Sequence, residues 1–240
     1  MNIRSSWRNW RSGVSRRMRA KLRPSASDNR RLLAERGERL EDFRIRDAVP
    51  ADAAALGALH AQTWAETYRV GRGRVGAKEK ILEEGKWRAR QWEGLFAKSG
   101  KGQGGISGGG MQAAGDDWFC LVMENGDGRM IGFAKGRRYA HEDLPDYNGE
   151  LNKIYVLREY QGLGLGKRLI CRIAARFLEM DIPNMLLFGI AQNPSCGFHE
   201  VMGGKRLYNW KGEFHGGYGW RDLRVLVKYC ESADGDVENR

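Results

Sequence analysis

A chain of 240 residues with 41% hydrophobic and 10% aromatic side chains can bury a sizeable core, which excludes a wholly disordered protein. Its net charge of +11 belongs to one end: residues 1–40 carry twelve Lys/Arg against three Asp/Glu, and the rest carry twenty-nine against twenty-seven. No apolar run reaches the roughly 18 residues of a membrane-spanning helix, and Cys120, Cys171, Cys196 and Cys230 are too scattered for a zinc cluster, so no metal and four reduced thiols in a reducing compartment are expected.

Residues 1–41 read as a basic, flexible tail in which Arg4, Arg8, Arg11, Arg16, Arg17, Arg19, Lys21 and Arg23 precede the first acid, Asp28, with Trp7 and Trp10 interleaved; its part from 30 to 41 reads as more helical, with charges of both signs around Leu32, Leu33 and Leu40. The pattern suits a nucleic-acid or other anionic surface, an organelle-import peptide, or a solvated tail with no specific partner. A cytoplasmic protein is expected, with organelle import as the alternative.

The globular domain is expected over 42–232. Alternation at Phe43–Arg46 predicts a first strand. Pro50 opens a helix with Leu56, Leu59, Thr63, Trp64, Thr67 and Tyr68 at spacings of three and four, and a second helical pattern runs through Ile81, Leu82, Trp92, Leu95 and Phe96. Residues 99–116 are glycine-rich and read as a flexible loop. Strands at 118–124 and 130–134 flank Asn125-Gly126-Asp127-Gly128, a hairpin turn. A strand at 150–157 leads into a glycine loop and then a helix with Leu165, Leu169, Ile173 and Phe177 on one face. Residues 185–190 read as a covered strand and 193–202 as a short helix. A last strand is expected through Leu223, Val225, Val227 and Tyr229, before an acidic tail at 233–240.

The glycine loop, Gln161-Gly162-Leu163-Gly164-Leu165-Gly166-Lys167, stands between a strand and a helix, where main-chain N–H groups and the helix dipole favour a phosphate. It is not a Walker loop, because Gln161 holds the first glycine position and Arg168 follows Lys167. It is not the dinucleotide fingerprint, because Lys167 or Leu169 falls on the last glycine. What remains is Gln-x-x-Gly-x-Gly, or a turn of glycines kept for packing.

That pattern resembles the acyl-CoA diphosphate loop of the GNAT superfamily of N-acyltransferases. The segment Asn193-Pro194-Ser195-Cys196-Gly197-Phe198-His199-Glu200-Val201-Met202-Gly203-Gly204 is similar to the family's Asn-Pro-Ala-x-x-Phe-Tyr-Glu-x-x-Gly-Gly, with Ser195 at the Ala and His199 at the Tyr. Tyr218-Gly219-Trp220-Arg221-Asp222-Leu223 is similar to the final strand of one branch. The resemblance implies an α/β (α+β) GNAT fold: a mixed, twisted sheet of six to seven strands flanked by about four helices, with the two strands beside the donor splayed apart.

The resemblance further implies an acetyl-CoA-dependent N-acetyltransferase; a non-catalytic acyl-CoA-binding module with a basic tail is the alternative. Donor contacts fall on Tyr155, Val156, Leu157, Gln161, Gly162, Leu163, Gly164, Leu165, Gly166, Lys167, Arg168, Asn193, Ser195 and Phe198. The Val156 N–H would meet the thioester oxygen. Glu150 lies an even six residues before Val156, which places both on one strand face; it would act as base, unless it is a surface glutamate. His199 would protonate the leaving thiolate, or else packs in the wall. Acceptor contacts fall on Trp64, Tyr68, His141, Tyr147 and Trp220, with Arg72 and Arg74 in the loop between the first two helices. Cys196 reads as a packed thiol. The identity of the amine, the acyl-chain preference and the oligomeric state are not legible.

Overall fold

The computed structural model describes residues 25–68, 77–99 and 118–235. The basic stretch 1–24, Arg72 and Arg74, and the glycine-rich stretch 100–117 lie outside these residues, so the expectations placed on them stand where the sequence left them.

Seven strands form one sheet: β1 (Arg44–Asp47), β2 (Trp118–Glu124), β3 (Met130–Arg138), β4 (Gly149–Val156), β5 (Met185–Leu187), β6 (Lys205–Tyr208) and β7 (Phe214–Trp220). Six helices accompany them: α1 (Ala26–Glu35), α2 (Ala53–Tyr68), α3 (Ala77–Ser99), α4 (Leu165–Glu179), α5 (Cys196–Val201) and α6 (Leu223–Gly235). The strand order is β1-β2-β3-β4-β5-β7-β6, and only β4–β5 is parallel. A parallel step needs a crossover, and α4 supplies it. The mixed sheet between helical layers is the α/β architecture expected from the order of elements.

Each face of the sheet is closed by a helical layer. On one side α4 turns Leu165, Leu169, Ile173 and Phe177 inward, all buried, and each such side chain contributes about 1.5–3 kcal/mol. On the other side α2 and α3 pack closely enough that a Cβ on Gly57 would stand 2.5 Å from the Ala89 nitrogen and the Gly85 oxygen. Trp92 of α3 meets Phe133 of β3, and Phe133 meets Tyr155 of β4, at ring-centre distances of 5.6 Å and 5.5 Å.

Within the segment read as a tail, residues 26–35 form α1. Ser25 caps it reciprocally: its Oγ accepts from the Asp28 N–H at 3.1 Å, and the Asp28 carboxylate accepts from the Ser25 N–H at 3.0 Å.

Two expectations are corrected. Residues 223–229 are not a strand but the start of α6, because Leu223, Leu226 and Cys230 recur at helical spacing and are buried while Val225 and Tyr229 are exposed. The final strand is instead β7. The four cysteines are not all free thiols: Cys171 of α4 and Cys230 of α6 form a disulfide between the two packed helices, with their Cα atoms 6.1 Å apart. Cys120 and Cys196 remain free.

Candidate active site

β4 and β5 pair only at Gly149↔Met185 and Glu150↔Leu186, after which β5 ends at Leu187. From Leu151 to Val156 the β4 edge therefore has no strand beside it among the described residues. On the opposite edge the Leu157 N–H donates to the Ile131 carbonyl at 2.9 Å. Antiparallel pairing alternates direction residue by residue, so Tyr155 also turns its N–H and C=O toward β3, whereas Ile154 and Val156 turn theirs into the opening. Of the three strand residues expected at the donor, Val156 alone presents main-chain groups there; Tyr155 and Leu157 do not. The Val156 carbonyl accepts from the Gln161 amide at 2.9 Å, which ties the glycine loop to the strand.

The loop leaves β4 through a 3₁₀ turn (Arg158–Tyr160) and enters α4 at Gly164. Gly164 caps α4 at φ +84, a left-handed backbone that a Cβ strains, and nothing lies within 4 Å of where that Cβ would be. The N–H groups of Leu165, Gly166 and Lys167 open the helix and have no acceptor in a preceding turn. The first helical bond is Arg168 N–H to Gly164 O at 3.1 Å. The loop thus offers several donors, the positive end of a fifteen-residue helix and open space, which fits an anionic diphosphate. Leu163 instead packs in the core.

The two cations expected to assist are directed elsewhere. Arg168 donates to the carbonyls of Leu40 and Phe43 at 3.1 and 2.7 Å, which corrects its placement at the donor. The Lys167 ammonium lies 4.9 Å from the centre of the Tyr229 ring.

The expectation that Glu150 shares a face with Val156 is also corrected. Lys135 pairs with Lys153 and Gly136 with Leu151, so Asn152 is an extra residue in β4 and the alternation flips there. Leu151, Ile154 and Val156 face α4; Glu150, Lys153 and Tyr155 face α2 and α3. Glu150 is 4% exposed, and its carboxylate accepts from the Arg137 guanidinium at 2.7 Å and the Asn152 amide at 2.8 Å. The Asn152 carbonyl oxygen in turn accepts from the Lys153 ammonium at 2.7 Å. His60 of α2 covers this face against Phe133 and Tyr155, and Arg88 of α3 reaches its ring nitrogens at 2.8 and 3.2 Å. Burial, then the charges of Arg88 and Lys153, push the His60 pKa down to about 3 and keep the ring neutral.

Beyond β5 the chain forms the far wall. The Asn193 side-chain oxygen accepts from the Ser195 N–H at 2.9 Å and shapes the turn into α5. Phe198 lies against Gly166, where a Cβ would meet its ring at 3.4 Å, so α5 abuts the mouth of the glycine loop. His199 is buried among the rings of Phe198, Tyr218 and Trp220, and its Nδ1 has no partner among the described residues. Burial pushes its pKa down to about 4. It is a neutral imidazole near pH 7, not the imidazolium that proton donation to a thiolate requires.

The aromatic residues expected at the acceptor are not gathered. Trp220 is buried with its N–H spent on the Met202 carbonyl at 2.8 Å, and Tyr147 is buried beside Gly219. His141 is exposed and stacks on Tyr139. Trp64 is half-buried beside Arg88, and the Tyr68 side chain lies outside the described residues. What sequence reasoning missed is Lys135, Arg137 and Lys153. The signal was present in β3, where Ile131, Phe133 and Lys135 alternate inward and a lysine stands at a core register. Among the described residues no cluster of three or more potential metal ligands occurs. No described helix is long and apolar enough to cross a membrane.

Comparison with known proteins gives a consistent result. Residues 88–203 match the profile of the Acetyltransferase (GNAT) family. An uncharacterized N-acetyltransferase, YuaI, of Bacillus subtilis (strain 168) is 26% identical over 190 residues, which cover 76% of this chain and 95% of that protein. The crystal structure of the PaiA N-acetyltransferase from Thermoplasma acidophilum in complex with coenzyme A superposes with a TM-score of 0.54 at 18% identity, covering 74% of this chain and 97% of that one. That likeness establishes the shared fold.

Proposed function

We propose that this chain, which belongs to the GNAT acetyltransferase family and is an acyltransferase, moves an acetyl group from acetyl-CoA directly to the nitrogen of an amine. The observation that carries the reading is the parting of β4 from β5 beside a loop of undirected N–H donors: an opening long enough for an amide-rich arm, with an anion site at its end.

The parts divide as follows. Acetyl-CoA supplies the activated acetyl carbon. The N–H groups of Leu165, Gly166 and Lys167 hold the diphosphate, and Gln161 keeps the loop against β4. The outward N–H of Val156 stabilises the negative charge that develops on the carbonyl oxygen. Glu150 takes the proton from the attacking amine, directly or through water; an amine of pKa about 10.4 is otherwise mostly protonated near pH 7. As the new C–N bond forms, the C–S bond breaks and the electron pair leaves on sulfur. Because His199 is neutral, it acts as a hydrogen-bond donor to that sulfur at most, and the thiolate takes its proton from solvent.

Stabilisation of the protein by acetyl-CoA on heating, together with amine-dependent release of the CoA thiol, tests the reading. Absence of both rejects it.

A further inference from the structure

We infer that the acceptor amine carries a carboxylate next to it, as a free α-amino acid does, and that Lys153 seats this carboxylate beside Glu150. The inference rests on the acetyltransferase reading above and narrows its substrate.

Lys135 and Lys153 stand directly opposite each other in the β3–β4 ladder, on the face covered by α2 and α3. Like charges directly across a ladder repel, and burial adds to the penalty. Lys135 is 8% exposed; its ammonium lies 4.8 Å from the Trp118 ring centre and 5.8 Å from that of Trp92. Burial, then the charge of Lys153, pushes its pKa down to about 8, and burial lowers that of Lys153 as well. Among the described residues neither ammonium has a carboxylate within ion-pair distance. Glu150 is already engaged by Arg137 and Asn152, and Glu84 by Arg88. The two arginines on this face, Arg137 and Arg88, are spent on Glu150 and Glu84, which leaves Lys135 and Lys153 as the cations without a carboxylate. A ligand carboxylate seated on Lys153 supplies the counter-charge that the described residues withhold from it.

The geometry also selects the kind of anion. One carboxamide separates the two poles: Asn152 donates to Glu150 at 2.8 Å and accepts from Lys153 at 2.7 Å. An α-amino acid presents the complementary pair in the same order, an amine for Glu150 and a carboxylate for Lys153. A polyamine or an aminoglycoside would add positive charge to a site that already has an excess.

The test measures kcat/KM for acetyl transfer to a panel of α-amino acids, to the matching α-carboxamides, to peptides with an acidic first residue, and to spermidine. At least one free amino acid is expected to exceed its own carboxamide by about tenfold or more, the worth of a hydrogen bond to a charged group. Preference for the acidic peptides over free amino acids overturns the assignment to a free amino acid. Lys153→Gln is expected to bring the acid-to-amide ratio close to one. Should that variant fail to fold, wild-type protein with CoA bound is expected to gain thermal stability from the preferred amino acid and not from its carboxamide; equal gains overturn the inference. Equal or better turnover of the carboxamides or of spermidine also overturns it while leaving the acetyltransferase reading intact. No turnover with any amine overturns both.

Discussion

The side-chain amide of Asn29 donates to the main-chain carbonyl of Gln161 at 2.7 Å, and to that of Arg158 at 2.9 Å. Asn29 is fully buried in α1, so a helix ahead of the first strand holds both ends of the turn that carries the glycine loop. Ala26 extends the contact, since a Cβ on Gly162 would stand 3.1 Å from its Cβ. Arg36 and Glu38 continue it to Glu159 and Tyr160.

Asn29→Leu keeps the volume and removes both donors. The Arg158 carbonyl keeps the Gln161 N–H at 3.1 Å, but the Gln161 carbonyl loses its Asn29 donor, and leaving such an acceptor unpaired costs about 1–3 kcal/mol, visible in denaturant unfolding. Because the carbonyls bound the glycine loop, the KM for acetyl-CoA is expected to rise several-fold with kcat at saturation nearly unchanged. A loss of stability with no change in KM would show that α1 only packs.

Gly164→Val places a β-branched side chain at φ +84, a strain of roughly 1–2 kcal/mol, and fills the open space at the donor loop. Acetyl-CoA is expected to stop raising the unfolding temperature of this variant, although the protein folds. Undiminished stabilisation would place the donor elsewhere.

Much of this was legible beforehand, and the rest was hidden for definable reasons. The stripe Leu165, Leu169, Ile173 and Phe177 has one period and one solution, so α4 follows from it. Leu223 to Tyr229 satisfies two periods: alternation gives a strand, while Leu223, Leu226 and Cys230 give a helix, and only the packing of α6 on α4 decides. The bulge at Asn152 has no Gly or Pro to announce it, so counting by twos from Val156 put Glu150 on the wrong face. Asn29 sits in a charged segment, and its partners are main-chain carbonyls 129 and 132 residues away, which no local pattern reveals.

Lys135 makes stability depend on alkaline pH. Its pKa is about 8 in the folded chain against an ordinary 10.5, so between these values the unfolded chain binds more protons and stability rises with pH. Lys153, lowered in the same direction, adds to the rise, while Tyr139, Tyr160 and Tyr218, all raised, oppose it above their ordinary value of 10. Unfolding free energies from pH 8 to 10 are expected to climb, and Lys135→Met to flatten the climb while raising stability at pH 7. An unchanged slope in the variant would contradict the assignment.

The Cys171–Cys230 disulfide closes a loop of 59 residues, for which chain entropy gives about 4 kcal/mol. The double variant Cys171→Ser/Cys230→Ser is expected to unfold at lower denaturant, and wild type under reducing agent to match it. If reducing agent leaves the wild-type transition where it was, the bridge is not formed in solution.

The most direct test of acetyl transfer to an amine is a mass-spectrometric count of N-acetylated product against free CoA thiol, with wild type and Glu150→Gln side by side. Wild type is expected to yield the two in equal amounts and only when an amine is present, and Glu150→Gln to lower kcat by about 10²–10⁴-fold. Thiol release that outruns acetylated amine, or a Glu150→Gln variant as fast as wild type, would contradict the account.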